Sequence, residues 1–247
     1  EIRLSLVGSE MCIRDSPVVI WGIINRGGEQ AAQHSQALHA LFAHIPGLKV
    51  VMPSTPYDAK GLMVAAIQSN DPVVFIDERW LYGNEDHVPE ELYTVPIGKG
   101  IVRKPGKDVT LVAASYMAYQ ASLAAEHLAN VGIDVELIDP RTIKPLDEAL
   151  IVESVSKTGR LVIADGGWRS FGVAAEIAAL AAEKAFDKLR APVARVTLPD
   201  CPAPASAPLE KAYYPTWESI VSVVEDVVMN GQAQRIGDWG TNYAEDN

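Results

Sequence analysis

The sequence has few cysteines, few positive charges and no long apolar run, and each shortage excludes a class of protein. Its 247 residues contain two cysteines, Cys12 and Cys201, so no disulfide framework is expected and a reducing compartment fits. Lys and Arg total 21 against 32 Asp and Glu, and the formal charge of −11 disfavours binding to a phosphate backbone. No apolar run approaches the roughly 20 residues of a membrane-spanning helix. We therefore expect a cytoplasmic protein that binds neither nucleic acid nor membrane.

A regular alternation of apolar strands and amphipathic helices is present instead. Hydrophobic residues form 48% of the chain, enough for one large or two ordinary domain cores. Strands are predicted at residues 17–24, 48–52, 72–76, 98–102, 109–114, 133–138, 160–164 and 193–198. Helices are predicted within residues 31–47 and at residues 56–70, 116–131, 146–157, 171–188 and 216–229. The alternation predicts an α/β fold with parallel sheets and right-handed crossovers.

Composition divides the chain into four parts. Residues 1–16 differ from the rest and read like translated adapter DNA, so we expect a non-native or disordered leader; an ordinary flexible terminus is the alternative. Residues 17–95 hold the first group of strands and helices and end in a proline-containing linker. Residues 96–230 hold the second group, and the polar residues 231–247 are expected to form a tail.

Among the polar residues, His34 has the most informative position. A loop containing Gly27 and Gly28 leads into the first predicted helix, and a histidine where such a loop enters a helix can face a ligand. A structural role for a lone histidine at that place is the alternative. His39 and His44 follow at intervals of five residues, which rotates each side chain by about 140° around a helix. The three histidines therefore cannot share one tetrahedral metal ion, and the second and third are predicted at the surface or at an interface.

Several ordered motifs resemble the β subunit of the thiamine-diphosphate-dependent E1 component of 2-oxoacid dehydrogenase complexes, of the pyruvate, branched-chain 2-oxoacid and acetoin types. The motifs are Gln33-His34-Ser35-Gln36, AHIPGLKVV at residues 43–51, DAKGL at residues 58–62, DPRTIKPLD at residues 139–147, and the Gly-Gly…Gly turn at residues 165–172. The resemblance extends over residues 17–228. It implies a partial pyrimidine-binding domain with a parallel sheet in residues 17–95. It implies a transketolase C-terminal-like α/β domain, with a role in assembly rather than in chemistry, in residues 96–230.

The resemblance also implies an activity, cofactors and partners. The activity is oxidative decarboxylation of a 2-oxoacid, with transfer of the acyl group to a lipoyl carrier. Thiamine diphosphate is shared with an α subunit that holds Mg²⁺, and K⁺ is a further candidate ion. The implied partners are the E1 α subunit, a second β subunit and the E2 lipoyl acyltransferase. His34 is implied to be catalytic, near the thiazolium ring and the entry of the lipoyl arm, where histidine can transfer protons.

A potassium site is implied at the end of the second predicted helix. In the family, backbone carbonyl groups bind the ion there, and the corresponding residues here are Val18, Ala66, Ser69 and Asp71. Carbonyl groups at a helix end lack intrahelical partners and carry partial negative charge, which suits a cation. Ser69 and Asp71 stand where the family commonly has Asp and Asn, and a plain helix end before Pro72 is the alternative.

Some family features have no counterpart in this sequence. The Gly-Asp-Gly…Asn motif for Mg²⁺ and diphosphate is absent, which fits a β subunit because the α subunit carries that motif. The glutamate that activates the aminopyrimidine ring, and an aromatic patch against that ring, lie upstream of Pro17 in the family pattern. No cofactor-binding residue is therefore identified, and we expect an N-terminally truncated β subunit that is inactive alone. Trp21 and Glu29 also replace the usual Arg and Gly around the loop.

Two other functions remain open on the sequence. A 1-deoxyxylulose-5-phosphate synthase or a single-chain transketolase would need the Mg²⁺ motif on the same chain. A non-catalytic assembly module built on the transketolase C-terminal fold would need neither that motif nor the activating glutamate.

Overall fold

Two β-sheets form the fold, and the chain passes from the first sheet to the second and returns once to the first. The computed structural model describes residues 16–25 and 28–230, so the expectations for residues 1–15, for Gly27 and for the tail lie outside the described residues. The expected α/β fold with largely parallel sheets is confirmed. Among the helices of the described residues, none has both the length and the apolarity that crossing a membrane requires.

The first sheet contains four strands, β1 (Val19–Ile24), β2 (Lys49–Val51), β3 (Val73–Glu78) and β7 (Thr142–Lys144). Their order is β1-β3-β2-β7, with β1 and β2 parallel to β3 and β7 antiparallel to β2. The helices of this part are α1 (Ala31–His34), α2 (His39–His44) and α3 (Pro56–Ile67), with a 3₁₀ turn at Arg79–Leu81. Strand β7 comes from the second half of the chain, so the two halves share this sheet.

The second sheet contains five strands, β4 (Ile101–Lys104), β5 (Val109–Ala113), β6 (Val135–Asp139), β8 (Leu161–Trp168) and β9 (Ala194–Leu198). Their order is β4-β6-β5-β8-β9, and all neighbours are parallel except β4 with β6. The accompanying helices are α4 (Tyr116–Asn130), α5 (Glu148–Thr158), α6 (Val173–Lys184), α7 (Ala207–Tyr213) and α8 (Trp217–Glu225). A 3₁₀ turn at Phe186–Lys188 and a π-helical turn at Asp226–Asn230 complete this half.

Apolar packing on both faces holds the second sheet rigid. Every residue of β5 and β6 is buried, as expected for central parallel strands between two helix layers. On one face the core includes Leu128 of α4 and Ile220 of α8. On the other face it includes Ile151 of α5 and Ile177 of α6. The carboxyl ends of these strands are therefore fixed in position, which matters for the polar residues that follow them.

Local structure in the first half differs from the prediction at two places. Residues 31–47 form two short helices separated by a non-helical connection at residues 35–38 rather than one helix, and Ala37 of this connection packs in a buried cluster with residues of the second half. The helix predicted at residues 56–70 ends at Ile67. Its start is as expected, with Pro56 in the first turn and Thr55 Oγ1 accepting a hydrogen bond from the Asp58 N–H at 3.1 Å.

Local structure in the second half also differs from the prediction, beginning with strand β7, which was not expected. Residues 165–168, predicted as a turn, continue strand β8, whose pairing with β9 extends to Trp168 and Leu198. Residues 199–215, predicted to be irregular, contain α7. Ser115, predicted to cap α4, makes no side-chain cap; the Glu78 carboxylate accepts a hydrogen bond from the Tyr116 N–H at 2.7 Å instead.

A buried ionic network joins the two halves beside β7. Asp58 of α3 is 0% exposed and accepts hydrogen bonds from Arg141 Nη1 at 3.2 Å and from Arg103 Nη2. Arg103 Nη2 also donates to Asp139 Oδ2 at 2.8 Å. Removing one partner of such a network leaves an uncompensated buried charge and costs about 3–5 kcal/mol. The network therefore specifies how the two halves meet, whatever its net contribution to stability.

Strand β1 forms an apolar edge of the first sheet. Within the described residues it pairs with β3 alone, and Ile20, Trp21 and Ile23 are 47%, 64% and 39% exposed. The unpaired N–H and C=O groups of such an edge are a template for pairing with another chain.

We expect this edge to drive self-association of the chain as given. Ile20→Lys should shift the sedimenting species toward the monomer, because like charges oppose edge-to-edge pairing. Leu92→Lys is the control, since Leu92 is 75% exposed and lies outside the strands. Sedimentation velocity over a range of concentrations measures the effect. A wild-type chain that stays monomeric throughout contradicts the prediction.

Candidate functional site

Burial alternates along residues 34–39, which run from the last residue of α1 to the first residue of α2. Ser35, Ala37 and His39 are 1%, 3% and 1% exposed, whereas His34 and Gln36 are exposed. The segment therefore leaves His34 and Gln36 accessible between neighbours that are buried.

His34 lies at the end of a helix, and its predicted place at a helix entry is wrong. It is the last residue of the four-residue helix α1, which has no side-chain cap and no buried residue. So short a helix has little stability of its own, and contacts elsewhere must position it. The exposed imidazole is accessible to a ligand, and the catalytic role of His34 stays a prediction. His44, at the end of α2, is exposed as predicted.

His39 is buried, so its predicted surface position is wrong. Its Nε2 atom lies 2.9 Å from Asp165 Oδ1 near the end of β8. Asp165 also accepts hydrogen bonds from the N–H groups of Gly167 at 3.0 Å and Ala174 at 3.2 Å. Burial opposes the charge of the imidazole, yet Asp165 and, to a smaller extent, Glu78 raise the pKa of His39. Burial also opposes the charge of Asp165, but the pairing with His39 and the two N–H donors lower its pKa.

A second buried carboxylate, Glu78, ends β3. It is 1% exposed; its Oε1 atom accepts a hydrogen bond from Asn25 Nδ2 at 3.1 Å, and its Oε2 atom accepts one from the Tyr116 N–H at 2.7 Å. Asn25 Nδ2 also donates to the Gly166 carbonyl at 2.7 Å. Burial raises the pKa of Glu78. Only 1% of Glu78 is exposed, so the side chain has no free surface for a cofactor ring, and Glu78 is not available as the acid that the E1 family places against the aminopyrimidine ring.

Two glycines allow these side chains to approach β8. A Cβ atom on Gly166 would lie 2.9 Å from Asn25 Nδ2, and one on Gly167 would lie 3.0 Å from His39 Cε1. Both distances are shorter than ordinary van der Waals contact in a close-packed interior. The adjacent glycines are therefore required by the close approach of the polar side chains, since they lie in a strand and not in the predicted turn.

Sequence reasoning missed Asn25, Glu78 and Asp165 as a group. Each lies at or near the carboxyl end of an apolar strand, which is where α/β sheets place functional groups. That signal is visible in the sequence. What the sequence does not show is that the ends of β1, β3 and β8 meet, because β8 belongs to the other sheet.

Of the four candidate potassium ligands, Val18 precedes β1, whereas Ala66, Ser69 and Asp71 lie at or after the end of α3. The Val18 carbonyl accepts a hydrogen bond from the first residue of β3 at 2.9 Å, and the Ala66 carbonyl accepts one from the Ser69 N–H at 3.2 Å. The Lys49 ammonium group lies 2.8 Å from Asp71 Oδ2 and 3.2 Å from Ser69 Oγ. A positive charge is thus already present beside two of the four residues. Among the described side chains, His, Cys, Asp and Glu form no group of three that could hold a metal ion.

An open groove of about 810 Å³ lies beside the segment. Helix α2 forms one wall, residues between Gly167 and Glu176 form a second, and residues between Ile143 and Glu148 complete the lining. Phe171 is at this second wall, 98% exposed and with a φ angle of 56°. The groove has the size of a site for a small ligand or for a segment of a partner.

Two protein-family models match the chain in the order of its two halves. The pyrimidine-binding domain of transketolase matches residues 7–84, and the transketolase C-terminal domain matches residues 98–220. The chain belongs to the transketolase family. Strands β1 to β3 lie in its pyrimidine-binding domain, and β7 extends that sheet from the C-terminal domain.

The relatives include subunits of E1 type. The chain is 46% identical over 212 residues to the acetoin:2,6-dichlorophenolindophenol oxidoreductase subunit β of Bacillus subtilis strain 168, covering 86% of this chain and 62% of the relative. It is 44% identical over 213 residues to the pyruvate dehydrogenase E1 component subunit β of Rhizobium meliloti strain 1021, covering 86% and 46%. A solved structure described as a split gene transketolase, inactive β4 tetramer, has a TM-score of 0.73 and 28% identity, covering 85% of this chain and 67% of the other. The resemblance read from the motifs is confirmed.

We expect Gly167→Ala to lower the free energy of unfolding by about 1–3 kcal/mol, as overpacking of a core does. The added methyl group would meet the His39 ring at 3.0 Å. Gly83→Ala is the matched control, because nothing lies within 4 Å of a Cβ atom there. Chemical denaturation of the two variants measures the difference. Equal stabilities would show that the ring can move away at no cost.

Proposed function

We propose that this chain is the β-subunit portion of an E1-type enzyme that oxidatively decarboxylates a 2-oxoacid and passes the acyl group to a lipoyl carrier. The observation that carries the proposal is the exposure of His34 on a segment whose alternate residues are buried. The identities of 46% and 44% to β subunits of the acetoin and pyruvate types support it. Because the chain spans 62% and 46% of those relatives, the proposed activity is that of the assembled enzyme.

In this proposal His34 is a hydrogen-bonding and proton-transfer group. Histidine is the usual side chain for proton transfer near neutral pH. The exposed ring can reach a substrate oxygen or a dithiolane sulfur from a backbone that its buried neighbours hold. Both roles need a fixed ring position, because small misplacements in an active site are costly.

Thiamine diphosphate is the proposed cofactor, and when bound it supplies the electron sink for decarboxylation. The match to a transketolase pyrimidine-binding domain supports this assignment. The described residues do not fit the whole task, because the Glu78 side chain is buried and has no free surface for the cofactor ring. We therefore assign the acid for the aminopyrimidine ring to the rest of the full-length protein and derive no reaction step through the cofactor.

The proposed partners are an E1 α subunit that carries Mg²⁺, a second β subunit and an E2 lipoyl acyltransferase. The subunit names of the relatives in Bacillus subtilis and Rhizobium meliloti support the pairing with an α subunit. The bacterial origin of these relatives supports a cytoplasmic location.

A substrate panel tests the proposal in the full-length chain assembled with its α subunit. Pyruvate, branched-chain 2-oxoacids and acetoin are the substrates, with a lipoyl domain or dichlorophenolindophenol as electron acceptor. A ketose phosphate is included because the solved transketolase relative makes sugar–phosphate chemistry the second candidate. Turnover of the ketose phosphate without turnover of the other substrates would replace the proposal by that second function.

We expect His34→Ala to lower turnover of the assembled enzyme by about 10²–10⁴-fold, the usual contribution of an acid–base group. The melting temperature should stay nearly constant, because His34 is exposed and α1 buries no side chain. His44→Ala is the control, since it removes another exposed histidine at the end of the next helix. Equal losses in the two variants, or a loss confined to stability, would assign His34 a structural role.

We also propose that K⁺ binds the carbonyl groups of Val18, Ala66, Ser69 and Asp71. A carbonyl oxygen has two lone pairs, so those of Val18 and Ala66 can bind an ion beside the hydrogen bonds they already accept. Melting temperatures of the full-length protein in KCl, NaCl and choline chloride of equal ionic strength test this. K⁺ at a hundred times its Kd would stabilise the fold by about 2.7 kcal/mol. Equal melting temperatures in the three salts would contradict the K⁺ site and indicate that the Lys49 ammonium group supplies the positive charge beside Ser69 and Asp71.

A further inference from the structure

The C-terminal domain holds the segment that carries His34 at three separated points. We call residues 28–39 the histidine segment. At its start, the Glu29 N–H donates to Glu210 Oε1 at 2.8 Å, and the Ala207 N–H donates to Glu29 Oε1 at 3.3 Å. Glu29 and Ala31 have φ angles of 62° and 53°, which non-glycine residues adopt only where surrounding contacts impose them.

The middle of the histidine segment is held by apolar contact. Ala37 belongs to a small buried cluster whose other members are Leu198, Ala203 and Tyr213, all from the C-terminal domain. Ala37 is 3% exposed, and it lies midway between the buried Ser35 and His39. The contact holds the segment against the domain three residues after His34, whose own side chain is exposed.

The end of the histidine segment is held by the pair of His39 and Asp165. This contact spans 126 positions of sequence, and the His39 side chain is 1% exposed. The imidazole Nδ1 atom has no hydrogen-bond partner within the described residues. A buried polar contact of this kind carries a desolvation cost that an apolar contact would avoid. Perturbed, desolvated pairs are enriched near functional sites.

We propose that the C-terminal domain positions His34, and that His39 and Asp165 are the positioning residues that anchor its segment. The inference deepens the proposed function, on which it rests for the role of His34. It assigns to the C-terminal domain a part in the reaction that the family resemblance does not imply. His39 touches no substrate in this proposal, because its side chain is buried. It acts through the backbone of the segment, which also carries His34.

Charge makes the anchor dependent on pH. The groups that act on the His39 ring are Asp165 of β8 and, more weakly, Glu78 of β3. The pKa of His39 is raised above its ordinary value of 6.5, so the charged imidazole stabilises the fold fully below pH 6.5. This stabilisation is lost as pH rises through the folded-state pKa of His39. The pKa of Asp165 is lowered below its ordinary value of 3.8, so the ionised carboxylate stabilises the fold fully above pH 3.8. This stabilisation is lost as pH falls through the folded-state pKa of Asp165. The ionised pair therefore holds the segment best between those two ordinary values.

Hydrogen exchange of the histidine segment tests the proposal in the full-length chain assembled with its α subunit. His39→Ala should speed exchange of the backbone amides of residues 28–38 roughly tenfold or more, because a charge-assisted anchor is lost. Ser154→Ala is the control; it breaks a buried hydroxyl cluster in which Thr110 Oγ1 lies 2.7 Å from Ser154 Oγ, far in sequence from the segment. It should destabilise the C-terminal domain without changing exchange in the segment. Unchanged exchange in His39→Ala overturns the proposal.

The conservative variant His39→Gln separates positioning from general loss of stability. A glutamine amide can keep a neutral hydrogen bond to Asp165 but cannot carry the charge. The ratio of segment protection in the wild type to that in His39→Gln should be greatest between pH 3.8 and pH 6.5 and should fall as pH rises through the folded-state pKa of His39. A ratio that does not change with pH would show that the pair does not act through its charge and overturns this part of the proposal.

Turnover distinguishes failure of this inference from failure of the proposed function. His39→Ala should lower kcat by about 10²-fold, the cost of misplacing a group by roughly 1 Å, with a smaller change in KM. His39→Gln should recover most of that loss. If His34→Ala leaves turnover intact while His39→Ala still frees the segment, the proposed role of His34 fails and the anchoring stands. If His34→Ala abolishes turnover while His39→Ala alters neither exchange nor kcat, the anchoring fails alone.

Discussion

The ion pairs of the buried Asp58 with the half-buried Arg103 and the buried Arg141 join the two domains, and the candidate site depends on that arrangement. Asp58 belongs to the pyrimidine-binding domain, whereas both arginines come from the C-terminal domain. An ionic network of this kind has strict geometric demands, because each charge needs its partner in place once water is excluded. It lies beside the point where β7 joins the first sheet, so pairing of strands and pairing of charges enforce one orientation.

With that orientation fixed, three strand ends from two sheets converge on a second polar cluster. Two carboxylates, Glu78 and Asp165, lie near one imidazole, His39, and the protein treats them differently. Asp165 pairs directly with the ring at 2.9 Å and its pKa is lowered, whereas Glu78 accepts neutral N–H donors and burial raises its pKa. The direct ion pair is thus confined to His39 and Asp165, and it crosses from the histidine segment to the C-terminal domain.

The predictable part of this structure is the part that local pattern determines. The α/β class, the buried strands and the start of α3 at Pro56 follow from apolar runs and from helix-capping chemistry, and the structure has them. Strand β7 was missed because three residues that complete another domain's sheet carry no periodic signal of their own. The place of His34 at a helix entry was wrong because the helical pattern of residues 31–47 was read without the domain against which part of it packs.

The same reasoning explains why the burial of His39 was beyond reach of the pattern. Hydrophobic periodicity identifies buried positions through apolar residues, and the apolar positions of this stretch do form α2. From the end of α1 to the first residue of α2 the buried residues are Ser35, Ala37 and His39, and a polar residue is buried only where a partner compensates it. That partner, Asp165, lies 126 positions away and becomes adjacent only after both sheets have formed.

Glu29 departs from the family pattern, and its carboxylate accepts a hydrogen bond from the N–H of Ala207 in the C-terminal domain. This residue was a local sign in the sequence that the segment contacts that domain. The position of His34 is therefore a property of the junction between the domains, and neither domain's sequence determines it alone.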